Sequence, residues 1–196
     1  MPEIEVPEIL VSVDGEFTGP IPEPYSMISL GAVAYDQKGE ELSRFKVNLE
    51  ELPGGSRHPI QVAWWATQPE AWKAATENPM KPREAMLCFD AWLNTLPGRP
   101  KLMGWPLSVD FMFVYWYYWY FLQKNPPFGY DGIDIKTYAM ARLNTKTLSG
   151  ESSGVSRAKV RALLGIPNTE FSHDSLDDAS QQADLYFGLR KRATTL

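Results

Sequence analysis

Near the N-terminus, Ile9, Leu10, Val11 and Val13 form an almost unbroken apolar run, the pattern of a central strand buried on both faces. Two more strand-like runs follow, 27–35 and 42–49, separated by the tight-turn signal Asp36-Gln37-Lys38-Gly39. They predict an antiparallel meander that begins with the central strand. Pro53-Gly54-Gly55 breaks the pattern. Residues 59–76 and 82–96 read as helices, the second opening at Pro82 and closing at Pro97-Gly98. A short apolar strand over 101–105 leads through Pro106 to Asp110, which begins a strongly aromatic helix. A brief strand at 133–135 precedes a helix reaching about 143. The Thr-, Ser- and Gly-rich stretch 144–154 predicts a mobile loop, and two last helices follow at about 157–164 and 175–191. No repeat and no long linker divides the chain. The elements therefore predict one α/β domain over residues 1–196, with a core of about 8–192 and a mixed five-stranded sheet flanked by helices.

Composition narrows the class without naming a function. Hydrophobic residues make up 44% and charged residues 22% of the 196, the balance of a globular protein with a sizeable core. A net charge of −5 argues against a generally basic coat for nucleic acid. It does not exclude nucleic acid, because acids gathered around divalent cations become a phosphate site. The single cysteine, Cys88, leaves no intramolecular disulfide, and its neighbours Met86, Leu87 and Phe89 predict a small core residue. The N-terminal Met-Pro-Glu-Ile-Glu-Val-Pro-Glu is the opposite of a signal peptide's basic and apolar layout. The most apolar stretch, 111–122, has twelve residues, where a membrane span needs about 20. The expectation is a cytoplasmic protein with no membrane partner.

The chemistry is carried by a few acids. Asp14 and Glu16 lie two apart where the central strand ends, so both point to one face. Side by side they repel each other unless a cation sits between them. Asp110 follows the strand at 101–105 and stands at the start of the aromatic helix, where it could simply cap that helix. That strand is expected beside the Asp14 strand, and ligands of open α/β sheets bind at the carboxyl ends of strands. In Ser172-His173-Asp174-Ser175-Leu176-Asp177-Asp178-Ala179, helical spacing of Leu176, Ala179, Ala183 and Tyr186 starts a helix at about Ser175, capped by Asp174 or Ser172. His173 then sits on the preceding loop and Asp178 one turn inside. A helix terminus decorated with acids accounts for Asp174 and Asp177 but does not need His173. The other histidine, His58, reads as structural or solvated.

Together these motifs resemble the DEDDh 3′–5′ exonucleases, the group that includes RNase T, oligoribonuclease and the proofreading subunits of replicative polymerases. Asp14-Gly15-Glu16, continued by Phe17-Thr18-Gly19, is similar to the first motif of that family. Asp110 in Gly104-Trp105-Pro106-Leu107-Ser108-Val109-Asp110-Phe111 matches the second, and His173 with Asp178, a His, four residues, then Asp, matches the third. The resemblance implies a ribonuclease H-like fold and hydrolysis with two divalent cations, Mg²⁺ or Mn²⁺. By that analogy Asp14 bridges both ions, Glu16 and Asp178 hold the first, Asp110 holds the second, and His173 is the general base. The chemistry agrees, since hard cations prefer carboxylate oxygen and histidine titrates near neutrality. The resemblance also places Phe17, with Thr18 beside it, against the terminal base. Trp64 and Trp65, in Trp-Trp-x-x-Gln, resemble the RNase AS subgroup that prefers adenylate tails. Exposed tryptophans stack on unpaired bases, whereas adjacent positions on a helix predict one ring in and one out. The run Tyr115 to Phe121 reads as core with its outer face at a subunit interface, and relatives suggest a homodimer. The expectation is an exonuclease on single-stranded RNA or DNA 3′ ends, RNA favoured. The alternatives are a DNA-trimming or proofreading enzyme of the same fold, a non-catalytic nucleic-acid-binding scaffold, and an unrelated metal phosphoesterase.

Overall fold

A computed structural model of the chain describes residues 6–143, 155–167 and 172–193; the loop expected at 144–154 lies outside them. Strand β1 (Glu8–Phe17) is the centre of a five-stranded sheet. On one side β2 (Met27–Tyr35) runs antiparallel to it, and β3 (Glu41–Asn48) antiparallel to β2. On the other side β4 (Arg99–Gly104) runs parallel to β1, and β5 (Gly132–Asp134) parallel to β4. The sheet is mixed, as expected.

Among the described residues seven helices flank it: α1 (Pro59–Trp65), α2 (Pro69–Thr76), α3 (Pro82–Leu93), α4 (Leu107–Leu122), α5 (Ile135–Arg142), α6 (Arg157–Leu164) and α7 (Ser175–Ala193). Strand side chains alternate between faces, so β1 feeds two cores at once. Ile9, Val11 and Val13 pack with Met86 and Phe89 of α3 and with Phe113 and Tyr117 of α4. Leu10 points the other way, among Ala139, Val160, Ala183 and Leu189 of α5, α6 and α7. That two-sided burial is the reason the run shows no polar alternation.

Three details differ from the sequence pattern. The helix expected over 59–76 is two, because Pro69 has no N–H to continue the ladder and instead opens α2 at its first position. The aromatic helix begins three residues earlier than expected, at Leu107 directly after Pro106. Cys88 is not a core residue; it is exposed. Its sequence neighbours Met86 and Phe89 are buried in α3, but at 100° per residue Cys88 turns off that face.

One close approach sets the position of the functional edge. Gly31 pairs with Asp14 across β1 and β2. A Cβ on Gly31 would fall 2.2 Å from the carbonyl carbon of Ser175, so only glycine lets the first turn of α7 lie on the sheet beside Asp14.

Candidate active site

The sheet brings the sequence-predicted acids to one place. Asp14 and Glu16 leave the end of β1, Glu16 being 8% exposed. Strand β4 runs parallel to β1 with Ser12 opposite Met103, so its carboxyl end opens at the same edge and turns into α4. Asp110 lies buried in the first turn of that helix. It is not a helix cap; its Oδ1 accepts the N–H of Gly15 at 2.9 Å, tying α4 to the Asp14-Gly15-Glu16 segment.

The third contribution comes from α7. Asp174 caps this helix, its Oδ1 accepting the N–H groups of Leu176 at 3.1 Å and Asp177 at 3.3 Å, and it also pairs with Lys46 of β3. One turn inside, Asp178 is 3% exposed, and its Oδ1 has no hydrogen-bond partner among the described residues. His173 precedes the cap with φ +51°, a left-handed conformation uncommon for a side chain of its size. Ligand atoms of Glu16, His173 and Asp178 all lie within 4.8 Å of one another. His58 stands apart, edge-on to Tyr25 with centroids 5.6 Å apart.

Electrostatics follow from this crowding. Burial, then the charges of Asp110, Glu16 and Asp178, holds the Asp14 carboxyl well above its ordinary range. Burial and the charges of Asp178 and Asp110 push Glu16 up to about 9. Burial raises Asp110 to about 7, against the pull of the Gly15 N–H, and raises Asp178 to about 7 as well. His173 moves the other way, lowered by burial and then by the charge of Arg157. Without a counter-charge the acids can be anionic together only at a cost, and among the described residues the buried Oδ1 of Asp178 has no hydrogen-bond partner. This donor set fits a hard divalent cation of the Mg²⁺ or Mn²⁺ kind.

The aromatic candidates divide as helix geometry requires. Trp65 is buried and its Nε1 donates to the carbonyl of Phe17 at 3.1 Å. Trp64, half-buried, stands edge-on to the His173 ring with centroids 4.8 Å apart. The Phe17 ring stacks on Phe113 at 4.1 Å. Thr18 is buried; its Oγ1 donates to the carbonyl of Ser56 and accepts the N–H of Ser26, fastening the loop beneath. A cavity of about 260 Å³ opens beside it between Arg57, Val62, Trp65, Pro69 and Trp72.

Two residues of this region were not singled out from sequence. Gln182, fully buried, bridges the strands: its Nε2 donates to the carbonyl of Val13 at 2.8 Å and its Oε1 accepts the N–H of Trp105 at 2.5 Å. A glutamine four residues after Asp178, between Ala179 and Ala183 on the apolar stripe of α7, is the signal that marks it. Arg157 carries no such signal, because a cation at a helix start reads as solvated.

No family model matches the chain. It is 33% identical over 183 residues to the 3′-5′ DNA exonuclease Cap18 of Escherichia coli, covering 91% of this chain and 90% of that protein. The chain belongs to the DEDDh 3′–5′ exonuclease family. Membership carries 3′–5′ exonuclease activity on nucleic acid. Solved structures of the family share its fold at low identity. The nuclease domain of 3′hExo, a DEDDh member bound to rAMP, superposes with a TM-score of 0.71 at 11% identity, covering 98% of this chain and 96% of that one. S. pombe Pop2p in a form with Mg²⁺ and Mn²⁺ bound gives 0.69 at 15%, over 96% and 84%. The ribonuclease H-like, mixed five-stranded α/β architecture of this exonuclease is therefore the family's.

Proposed function

We propose that the chain is a single exonuclease domain that removes nucleotides one at a time from the 3′ end of single-stranded DNA, using two divalent cations. The observation that carries this reading is the cluster of Glu16, His173 and Asp178 where β1 ends, one ligand atom of each lying within 4.8 Å of the others. Asp14, Glu16, Asp110 and Asp178 would hold the cations. When bound, these supply Lewis-acid stabilisation of the attacking and leaving oxygens.

The chain's own groups do the rest. His173, lowered and therefore neutral near pH 7, takes the proton of the attacking water. The water oxygen bonds to phosphorus and the bond from phosphorus to the 3′ oxygen breaks. A nucleoside 5′-monophosphate leaves, and the shortened strand takes up a proton as a new 3′ hydroxyl. Phe17 and Trp64 flank the entrance as surfaces for the terminal base. Thr18 and Trp65 support that entrance from beneath, Thr18 through the loop bonds and Trp65 through its bond to Phe17.

DNA is preferred to RNA here for two reasons. The curated relative is named a DNA exonuclease. The RNA expectation leaned on the resemblance of the Trp-Trp-x-x-Gln segment to the RNase AS subgroup. Of its two rings, one expected in and one out, Trp65 is the buried one, its N–H committed to Phe17, which leaves Trp64 for a base. A homodimer through the outer face of α4, where Trp116 stacks on Tyr120 and Tyr120 is 57% exposed, belongs to the same reading. So does a cytoplasmic location; among the described residues no helix is long and apolar enough to cross a membrane.

The test is digestion of 5′-labelled single-stranded DNA and RNA of equal sequence with Mn²⁺, Mg²⁺ or EDTA. A cation-dependent ladder shortening from the 3′ end, faster on DNA, is expected. A faster RNA ladder would restore the exoribonuclease reading, and no ladder from folded protein with either polymer would leave a scaffold. His173→Ala should keep the cations bound and slow cleavage by about 10²–10⁴-fold.

A further inference from the structure

One face of α4 grips the end of β1 at three points. Asp110, Phe113 and Tyr117 are spaced three and four residues apart, so they share that face. Asp110 accepts the N–H of Gly15 at 2.9 Å. The ring of Phe113 stacks on Phe17 with centroids 4.1 Å apart. The hydroxyl of Tyr117, fully buried, accepts the N–H of Met27 at 2.7 Å and also interacts with the side chain of Ser26. Met27 is the residue opposite Phe17 across β1 and β2. The three contacts thus bracket Asp14-Gly15-Glu16-Phe17 and the strand paired with it.

The ladder is irregular at this point. Glu16 pairs with Ser29 and Phe17 with Met27, so Ile28 is passed over in a bulge. The side chains record the break. Leu30, Ala32 and Ala34 pack in the core with α3 and α4. Unbroken alternation would send Ile28 with them and Met27 to the opposite face. Instead Met27 packs in that core, and Ile28 packs with Trp65, Ala71 and Ala75 of α1 and α2. Bulges bend a strand and re-aim the side chains beside them, and the residues beside this one are Glu16 and Phe17. Phenylalanine would fill the space of Tyr117 as well. What the oxygen adds is hydrogen bonding at the bulge.

We propose that Tyr117 is a positioning residue of this exonuclease, whose hydroxyl holds the bulge that sets Glu16 in the acid cluster and Phe17 at the entrance for the terminal base. It acts through Met27 and touches neither cation nor substrate. The assignment rests on the reading of Glu16 as a cation ligand.

The test compares Tyr117→Phe with Tyr118→Phe. Tyr118 is the equally buried neighbour, and its hydroxyl donates to Asp90 of α3, a bond that does not involve the sheet. Each variant loses one buried phenol oxygen. Melting curves are recorded, and Mn²⁺ affinity and the kcat and KM for cleavage of a single-stranded DNA 3′ end are measured below both melting transitions. Both variants should melt lower than the wild type, by about 2–8 °C. Tyr117→Phe should also bind Mn²⁺ more weakly and lose about 10–100-fold in cleavage, mainly in kcat, the cost of misplacing a group at the reaction centre by about 1 Å. Tyr118→Phe should keep the wild-type Mn²⁺ affinity and rate. Wild-type affinity and rate in Tyr117→Phe, or equal losses in both variants, would overturn the assignment while leaving the acid site standing. A wild-type protein that binds no Mn²⁺, or binds it and cuts no 3′ end, would overturn the active-site reading, and the role of Tyr117 with it.

Discussion

The indole of Trp64 meets the imidazole of His173 at 89°, with ring centroids 4.8 Å apart. This contact steadies a histidine held at a positive φ between α1 and the start of α7, and such conformations persist only where their surroundings enforce them. Trp64→Ala should therefore lower kcat by up to about 10²-fold, the scale of a misplaced catalytic group, while Trp64→Phe keeps most of it. Steady-state rates on a single-stranded 3′ end check this. Equal losses in both variants, confined to KM, would mean that Trp64 serves only the terminal nucleobase and does not steady His173.

The crowded acids make stability depend on pH when no cation is bound. A carboxyl whose pKa is raised by folding binds its proton more tightly in the folded state. Its stabilising effect is complete below the unfolded pKa and is lost as pH rises towards the folded value. For Asp110 and Asp178 that window runs from 3.8 to about 7, and for Glu16 from 4.5 to about 9. With EDTA the melting temperature should fall steadily between about pH 4 and pH 9. Saturating Mn²⁺ should remove most of that slope at its upper end. A metal-free melting temperature that rises over this window would contradict the raised values.

Gly31→Ala probes the seat of α7. The added methyl would lie 2.2 Å from the backbone of Ser175, and backbone cannot rotate away as a side chain does. The expected cost is about 1–3 kcal/mol of stability, measured by urea denaturation, together with loss of activity as His173 and Asp178 are displaced from Asp14. Wild-type activity in this variant would show that α7 tolerates the shift.

Much of this was legible in the chain because it rests on local periodicity. The apolar run at 9–13 and the two-residue spacing of Asp14 and Glu16 gave the central strand and a shared face. Helical spacing from Leu176 to Tyr186 set Asp178 one turn inside α7. The split at Pro69 had a local cause, a proline inside a helical pattern, whereas the exposure of Cys88 needed the rotation of α3 relative to the sheet. The role of Asp110 as acceptor for Gly15, 95 residues away, is a tertiary contact with no local trace. Arg157 was invisible for the same reason: its partner Trp105 lies 52 residues distant, and nothing in its own helix distinguishes it from a solvated arginine.

The most direct measurement is an anomalous difference map from crystals soaked in Mn²⁺. The account predicts two peaks about 3.5–4 Å apart, both within bonding distance of Asp14, one also touching Glu16 and the orphaned Oδ1 of Asp178, the other facing Asp110. No peak among these four carboxylates, or manganese bound only elsewhere on the molecule, would contradict it.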